Sequence, residues 1–247
     1  MIYFISDLHL SSSTPGIARI FTNFLCQLKP AEDCLYILGD FFETWPGDDC
    51  IDDASNPFNL KIVKMLRNLS DSGVAVSIMH GNRDFLLNEE FAKRSGIELI
   101  ADPFVLDLPV GRFVLSHGDE LCTADKEYQN FRALVRQPSW QAAFLKKPLE
   151  ERQVIAAALR QQSENARPQK PEDAESFAKY PDEAAIISLI RNFASSVLIH
   201  GHIHYPGVYK HTVDEGHVER WVLPDWREDC GECLVFDGQT LCRRTLS

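Results

Sequence analysis

Ile2-Tyr3-Phe4-Ile5-Ser6-Asp7-Leu8-His9 is an apolar, β-favouring run that stops at an acid and an imidazole two residues apart. The same construction recurs four times. Residues 34–38 end in Gly39-Asp40, and 74–79 in His80-Gly81-Asn82-Arg83-Asp84. Residues 112–116 end in His117-Gly118-Asp119, and 196–199 in His200-Gly201-His202-Ile203-His204. Short apolar runs bounded by turn residues read as buried strands. Strand ends converging on one edge of a sheet can assemble a ligand set that no local motif supplies.

Outward from these runs, residues 1–121 alternate strand and helix. Strands are expected near 2–5, 34–38, 74–79, 104–108 and 112–116, and helices near 15–28, 58–70 and 88–95. Ser70-Asp71-Ser72-Gly73 reads as a helix stop, and Pro109 with Gly111 makes the fourth and fifth strands a hairpin. In residues 122–193 strand signals vanish. Helices are expected near 125–137, 139–146, 149–164 and 182–193, punctuated by Pro138, Pro148, Pro168, Pro171 and Pro181. Residues 196–247 return to strands near 207–213, 218–223, 233–237 and 240–245, with turns at Asp214-Glu215-Gly216 and Asp237-Gly238-Gln239. The chain therefore reads as one α/β domain over 1–247, with a helical insertion at about 122–193. That insertion falls between His117 and His202, where it can cap whatever the strand ends build.

The 247 residues are 45% hydrophobic and 25% charged, ordinary for a globular protein with a substantial core. Net charge is −11, which removes an overall basic field for nucleic acid. The first residues lack the basic leader and long apolar core of an export signal, and no apolar run reaches the roughly 18 residues of a membrane span. A cytosolic chain, able to rest on a membrane surface, is the expectation. Seven cysteines, an odd count, are expected as free thiols. Cys230-Gly231-Glu232-Cys233 has CxxC spacing without a second pair, and reads as a hairpin or loop feature rather than a zinc or redox site.

Asp7, His9, Asp40, Asn82, His117, His202 and His204 offer carboxylate, carboxamide and imidazole without thiolate, the ligand mixture of hard and borderline cations. A carboxylate such as Asp40 can bridge two ions. A pair of ions about 3.5–4 Å apart can bind a phosphate, activate a water and steady a leaving oxygen.

The ordered series resembles the calcineurin-like metallophosphoesterases, whose pattern is D-x-H, G-D, G-N-H-[D/E], H and G-H-x-H. Here it stands as Asp7-Leu8-His9, Gly39-Asp40, Gly81-Asn82, His117 and Gly201-His202-Ile203-His204. The resemblance implies an αββα sandwich with a dinuclear site. It implies Asp7, His9, Asp40 and His204 on one metal, and Asp40 as bridge with Asn82, His117 and His202 on the other. Where the wider family has His after Gly-Asn, this chain has Arg83. A guanidinium does not readily give up a proton, but it stabilises charge on phosphoryl oxygens. That suits a leaving group needing no protonation, such as a phosphate monoester with a second pKa of about 6. Asn82 and Arg83 are thus the candidate catalytic residues, for cleavage of a pyrophosphate bond.

Residues 41–49, 81–86, 116–125 and 128–132 are similar to one branch, the UDP-2,3-diacylglucosamine hydrolases of lipid A synthesis. The resemblance implies two Mn²⁺ ions per chain and water attack at the α-phosphorus, giving UMP and the acylated glucosamine 1-phosphate. Its implied substrate contacts are Asn82, Arg83, Asp125, Tyr128, Ser163, Arg167, Lys170 and His202. Arg167 departs from the small polar residue often found there. It further implies a monomer at the cytoplasmic face of the inner membrane. Trp140, Phe144, Leu145, Leu149, Val154, Ile155 and Leu159 could form an acyl groove or merely pack the cap onto the body. Lys146, Lys147, Arg152 and Arg160 could face anionic lipid or be solvated. Glu43, Asp48, Asp49, Asp52 and Asp53 read as a solvated acidic loop, His80 and His200 as orienting residues, and His211 and His217 as hairpin neighbours without a role. Two rivals remain open: a nucleotide or dinucleoside polyphosphate hydrolase, and a non-catalytic scaffold of the same fold.

Overall fold

In a computed structural model, residues 1–165 and 180–247 are described, with side chains for 1–161 and 180–247. The expected Ser163 contact falls where only the backbone is described, and Arg167 and Lys170 lie outside the described residues. One sheet runs in the order β11 (Leu241–Leu246), β10 (Gly231–Phe236), β1 (Ile2–Ile5), β2 (Cys34–Leu38), β3 (Ala75–Met79) and β4 (Glu98–Leu99). The other runs β5 (Phe104–Leu108), β6 (Gly111–Ser116), β7 (Val197–His200), β9 (Gly216–Val222) and β8 (Gly207–Val213). Strands β1 to β4 are parallel, as are β6, β7 and β9. The expected β5–β6, β8–β9 and β10–β11 hairpins are antiparallel. β4 escaped notice because two residues carry no periodicity.

Alternation along each strand sorts side chains into layers. Tyr3 and Ile5 of β1, and Leu35 and Ile37 of β2, join a core with α1 (Pro15–Leu25), α2 (Phe58–Asp71) and α3 (Glu89–Ser95). Phe4 and Leu38 point the other way, meeting Phe113, Leu115 and Ile199 between the sheets. Val114 and Leu198 face Ile186, Leu189 and Ile190 of α7 (Glu183–Phe193). The expected αββα sandwich follows. Because β1, β2 and β3 pair in register and Ser116 pairs with His200, the five polar turns emerge at the carboxyl ends of parallel strands.

Helix boundaries differ from expectation for capping reasons. Asn88, Asp125 and Asp182, expected inside helices, stand before them and accept from Glu89, Tyr128 and Ala184 backbone N–H groups. α1 stops at Leu25, where Gln27 and Leu28 turn to tighter bonds with Phe24 and Leu25 carbonyls.

Between β6 and β7 the chain forms α4 (Lys126–Val135), α5 (Pro138–Leu145), α6 (Leu149–Asn165) and α7. Phe144 belongs to the helix-side core, and Trp140, Leu145, Leu149 and Ile155 pack against it, whereas Val154 is exposed. Arg152 corrects the reading of a basic outer face, since its side chain is 2% exposed. Its guanidinium forks onto the Asp49 carboxylate and donates to the Pro46 carbonyl, and Nε donates to Lys147 O at 3.0 Å. Arg160 pairs with Glu43 at 3.1 Å.

The acidic loop is solvated at Asp49 and Asp52, which are exposed, but its carboxylates are also engaged by neighbouring elements. Asp48 accepts from Trp45 Nε1 and from the backbone of Asn88 and Phe91. Asp52 takes a bidentate contact from Arg94, and Asp53 receives Gln153 at 2.9 Å. The loop after Asp40 therefore ties α3 and α6 to the body. Asp49→Ala leaves the buried Arg152 charge with carbonyl partners alone. It is expected to lower unfolding free energy by about 2 kcal/mol, discounted for the exposure of Asp49, read as a reduced midpoint in urea.

Candidate metal centre

The five turns are stacked on one another by their backbones. Asp7 N donates to Gly39 O at 3.2 Å, His9 N to Asp40 O at 3.0 Å, and Gly201 N to His117 O at 3.0 Å. Side-chain oxygens of the ligands complete the lattice: His202 N donates to Asp7 Oδ2 at 2.9 Å, and Arg83 N to Asp40 Oδ1 at 2.8 Å. This close contact demands glycine. A Cβ on Gly81 would sit 2.1 Å from Asp40 N, and one on Gly201 would sit 2.2 Å from Asp7 Oδ2. Asp7, His9, Asp40, His202 and His204 all adopt positive φ, between 49° and 67°, a region that side chains occupy at a cost. Such strain persists where surrounding contacts over-determine it.

All seven expected ligands meet here. Asp7, His9 and His204 form one triad and Asp7, Asp40 and His117 another, each with ligand atoms within 4.8 Å of one another. Asp40 was expected to bridge, yet Asp7 is the residue common to the two triads. Asp40 still addresses both, with Oδ2 3.8 Å from His9 Nε2 and Oδ1 3.7 Å from His117 Nε2. Asn82 Oδ1 lies 3.0 Å from His117 Nε2 and 2.9 Å from His202 Nδ1.

The donor set fits divalent cations. Both ring nitrogens of His9 are buried without a hydrogen-bond partner, although Glu43 Oε2 lies 3.3 Å from Nδ1. His117 Nδ1 stands 2.8 Å from Leu38 O, which can only accept, so that nitrogen carries a proton. With Nδ1 so occupied, Nε2 faces the Asn82 oxygen, where it carries a second proton or, with the ring neutral, offers its lone pair to a cation. Burial disfavours charge on His117, but Asp40, Asp7, Asp119 and Asp102 push its pKa up to about 9. Burial would raise Asp7, yet the imidazoles of His204, His117 and His9 hold its carboxyl well below the usual range. The pocket thus holds anionic carboxylates away from water and calls for positive charge. Burial and the neighbouring His117 push His202 down to about 4, leaving it neutral and able to donate a lone pair to a cation.

Several supporting residues were missed from the sequence. Asp84, fully buried, accepts from Gly81 N at 2.8 Å, Phe41 N at 2.7 Å and Phe42 N at 3.2 Å, binding the second turn to the third. Its signal was the acid three residues after Gly81. Asp119, also fully buried, accepts from Arg132 Nε at 2.8 Å and from the Tyr128 hydroxyl. Arg136 Nη2 donates to Gly81 O at 2.9 Å, so α4 grips the third turn. No sequence spacing announces these two, because helix and turn meet only in the fold.

Beside the ligands opens a cavity of about 350 Å³. Asn82, Arg83, Asp125 and Tyr128 line it together with Trp45, Phe85, Leu86, Phe131, Trp140, Phe144 and Leu159. Arg83 Nε is buried in this wall without a hydrogen-bond partner. Tyr128 stacks on His202 with ring centroids 6.0 Å apart.

Residues 1–206 match the model of the calcineurin-like phosphoesterase family. The UDP-2,3-diacylglucosamine hydrolase of Cellvibrio japonicus is 45% identical over 241 residues, covering 98% of this chain and 97% of its own. That of Aromatoleum aromaticum is 43% identical, covering 95% and 92%. That of Hahella chejuensis is 42% identical, covering 92% and 89%.

Gly201→Ala would push a methyl group onto Asp7 and Ser6. It is expected to weaken divalent-ion binding by at least about tenfold, measured by calorimetric titration with Mn²⁺ on folded protein.

Proposed function

Because this chain belongs to the calcineurin-like phosphoesterases, and within them to the UDP-2,3-diacylglucosamine hydrolases, we propose that it hydrolyses the pyrophosphate bond of UDP-2,3-diacylglucosamine. The products are UMP and 2,3-diacylglucosamine 1-phosphate, lipid X, and the reaction is a step of lipid A biosynthesis. The carrying observation is a cavity that joins Asn82 and Arg83 to a wall of aromatic and aliphatic side chains. A phosphate-directed end and an acyl-sized apolar wall suit a substrate with both parts.

Asp7, His9, Asp40 and His204 would hold one Mn²⁺ ion, and Asp40, Asn82, His117 and His202 the other. When bound, such a pair supplies Lewis-acid polarisation of phosphoryl oxygens and lowers the pKa of water. In the reaction a water oxygen bonds the α-phosphorus and the bond from that phosphorus to the bridging oxygen breaks. The bridging oxygen leaves with the sugar phosphate, and the proton of the attacking water passes to bulk water. Arg83, with its Nε unpartnered, is oriented by its own backbone contact to Asp40 and donates to the phosphoryl oxygens as charge grows. No general acid is required, since the leaving phosphate is stable as an anion at neutral pH.

Asp125 and Tyr128 bind the sugar-phosphate portion from the cavity wall. Ser163, Arg167 and Lys170 extend the contact set. Residues 122–193 act as the cap of a single domain spanning 1–247, and the chain works as a monomer. No helix among the described residues is long and apolar enough to cross a membrane. On this reading the enzyme meets its lipid substrate peripherally, at the cytoplasmic face of the inner membrane. Exposed Val154 on α6 and Lys146 just after α5 suit that encounter, whereas the buried Arg152 takes no part.

UMP release from UDP-diacylglucosamine should require Mn²⁺ and exceed turnover of bis(p-nitrophenyl) phosphate or a dinucleoside polyphosphate. Preference for either comparison substrate would sink the lipid reading. Arg83→Ala should lower kcat about 100-fold, and Arg83→His should also impair cleavage, both read in the same assay. Ala156→Trp fills the cavity. It should reduce kcat/KM for the acylated substrate at least about tenfold while leaving bis(p-nitrophenyl) phosphate turnover close to the parent rate.

A further inference from the structure

Behind the metal turns, the second sheet buries a line of polar side chains that the reaction does not use. His200 closes β7, is fully buried, and receives Arg220 Nη1 at its Nε2 over 3.1 Å. Arg220 on β9 is 7% exposed and donates through Nε to His211 Nε2 at 3.1 Å. Its guanidinium carbon also lies 4.2 Å from the Tyr209 ring centroid. His211 on β8, read from the sequence as a hairpin neighbour, is equally buried and meets Glu183 Oε1 through Nδ1 at 2.7 Å.

Proton placement in this line has one solution. Arginine only donates, so both Nε2 atoms accept and both protons sit on Nδ1. His200 Nδ1 then donates to Gly201 O at 3.0 Å, and His211 Nδ1 to Glu183. His200 is also a wedge. A Cβ on Gly118 would fall 2.6 Å from His200 Nδ1, so the bare glycine lets the imidazole press on the His117 turn. On its other side His200 leads directly into Gly201 and His202. Packing alone does not call for such an arrangement, because apolar residues of similar volume fill a core without burying a cation.

We propose that Arg220 is a positioning residue for the metal centre. By fixing the tautomer and orientation of His200, it sets the spacing between His117 and His202, which share the Asn82 oxygen. The inference rests on the ligand assignment above and not on the identity of the substrate.

Mn²⁺ affinity, titrated without substrate by calorimetry or electron paramagnetic resonance, tests it. Arg220→Met should weaken the affinity of the weaker-binding ion at least about tenfold. Arg220→Lys, able to donate to one imidazole but not to both, should weaken it about threefold to tenfold. His211→Gln keeps an acceptor for Arg220 Nε and should stay within about threefold. A folded Arg220→Met with the parent affinity overturns the proposal, even with a lowered Tm, since that would be a packing role only. If Arg220→Met does not fold, a folded Arg220→Lys with unchanged affinity overturns it instead. A parent chain that binds no divalent ion would overturn it together with the ligand assignment, whereas failure to cleave UDP-diacylglucosamine leaves it standing.

Discussion

Asp7 and Asp40 are buried at 0% and 2% exposure within a few ångströms of each other's imidazole partners. Two carboxylates removed from water in one pocket are unstable without compensating positive charge. Much of the architecture answers that constraint. Parallel strands deliver the ligands to a common edge, backbone N–H groups of Arg83 and His202 reach the carboxylate oxygens, and glycines clear the space for these approaches. What remains, the two unpartnered nitrogens of His9 and the imidazoles converging on Asn82 Oδ1, marks where cations would sit.

The fold was legible in the sequence because each strand ended in a chemically conspicuous turn. Apolar runs and turn residues located ten of the eleven strands among the described residues, and the alternating order of strands and helices implied the sandwich once the family pattern was seen. The candidate ligand set was legible for a related reason: its residues sit at strand ends, next to the apolar runs that announce them. The supporting residues were not. Asp84, signalled only as the acid three residues after Gly81, Asp119 and Arg136 work through contacts between separate segments, and nothing in local composition distinguishes the last two from ordinary surface charges. Arg152 shows the same blindness in the opposite direction. On a helix rich in charges it reads as solvated, yet its partner Asp49 lies 103 residues earlier.

That partner sits in a loop with two duties. Residues 41–53 follow directly from Asp40, and within them Glu43 faces His9 while Asp49 and Asp53 hold α6. Trp45, from the same loop, forms part of the cavity wall. The apolar cavity and the metal centre are consequently not separate modules joined by a flexible hinge. They are two sides of one stretch of backbone, and the position of the helices above is transmitted to the ligand shell over a few residues.

The five left-handed candidate ligands carry a consequence for how such a centre can diverge. Asn, Asp and His are enriched at positive φ because their short polar side chains tolerate it. Asp, Asn and His are also the donors that hard and borderline ions prefer. Coordination chemistry and backbone conformation therefore select the same small alphabet at Asp7, His9, Asp40, His202 and His204. A glutamate offers an adequate carboxylate but not the conformational tolerance, and a cysteine offers neither. Drift toward a different metal through new ligand types is closed at these positions, and change is channelled into residues such as Arg83, whose backbone carries no such restriction.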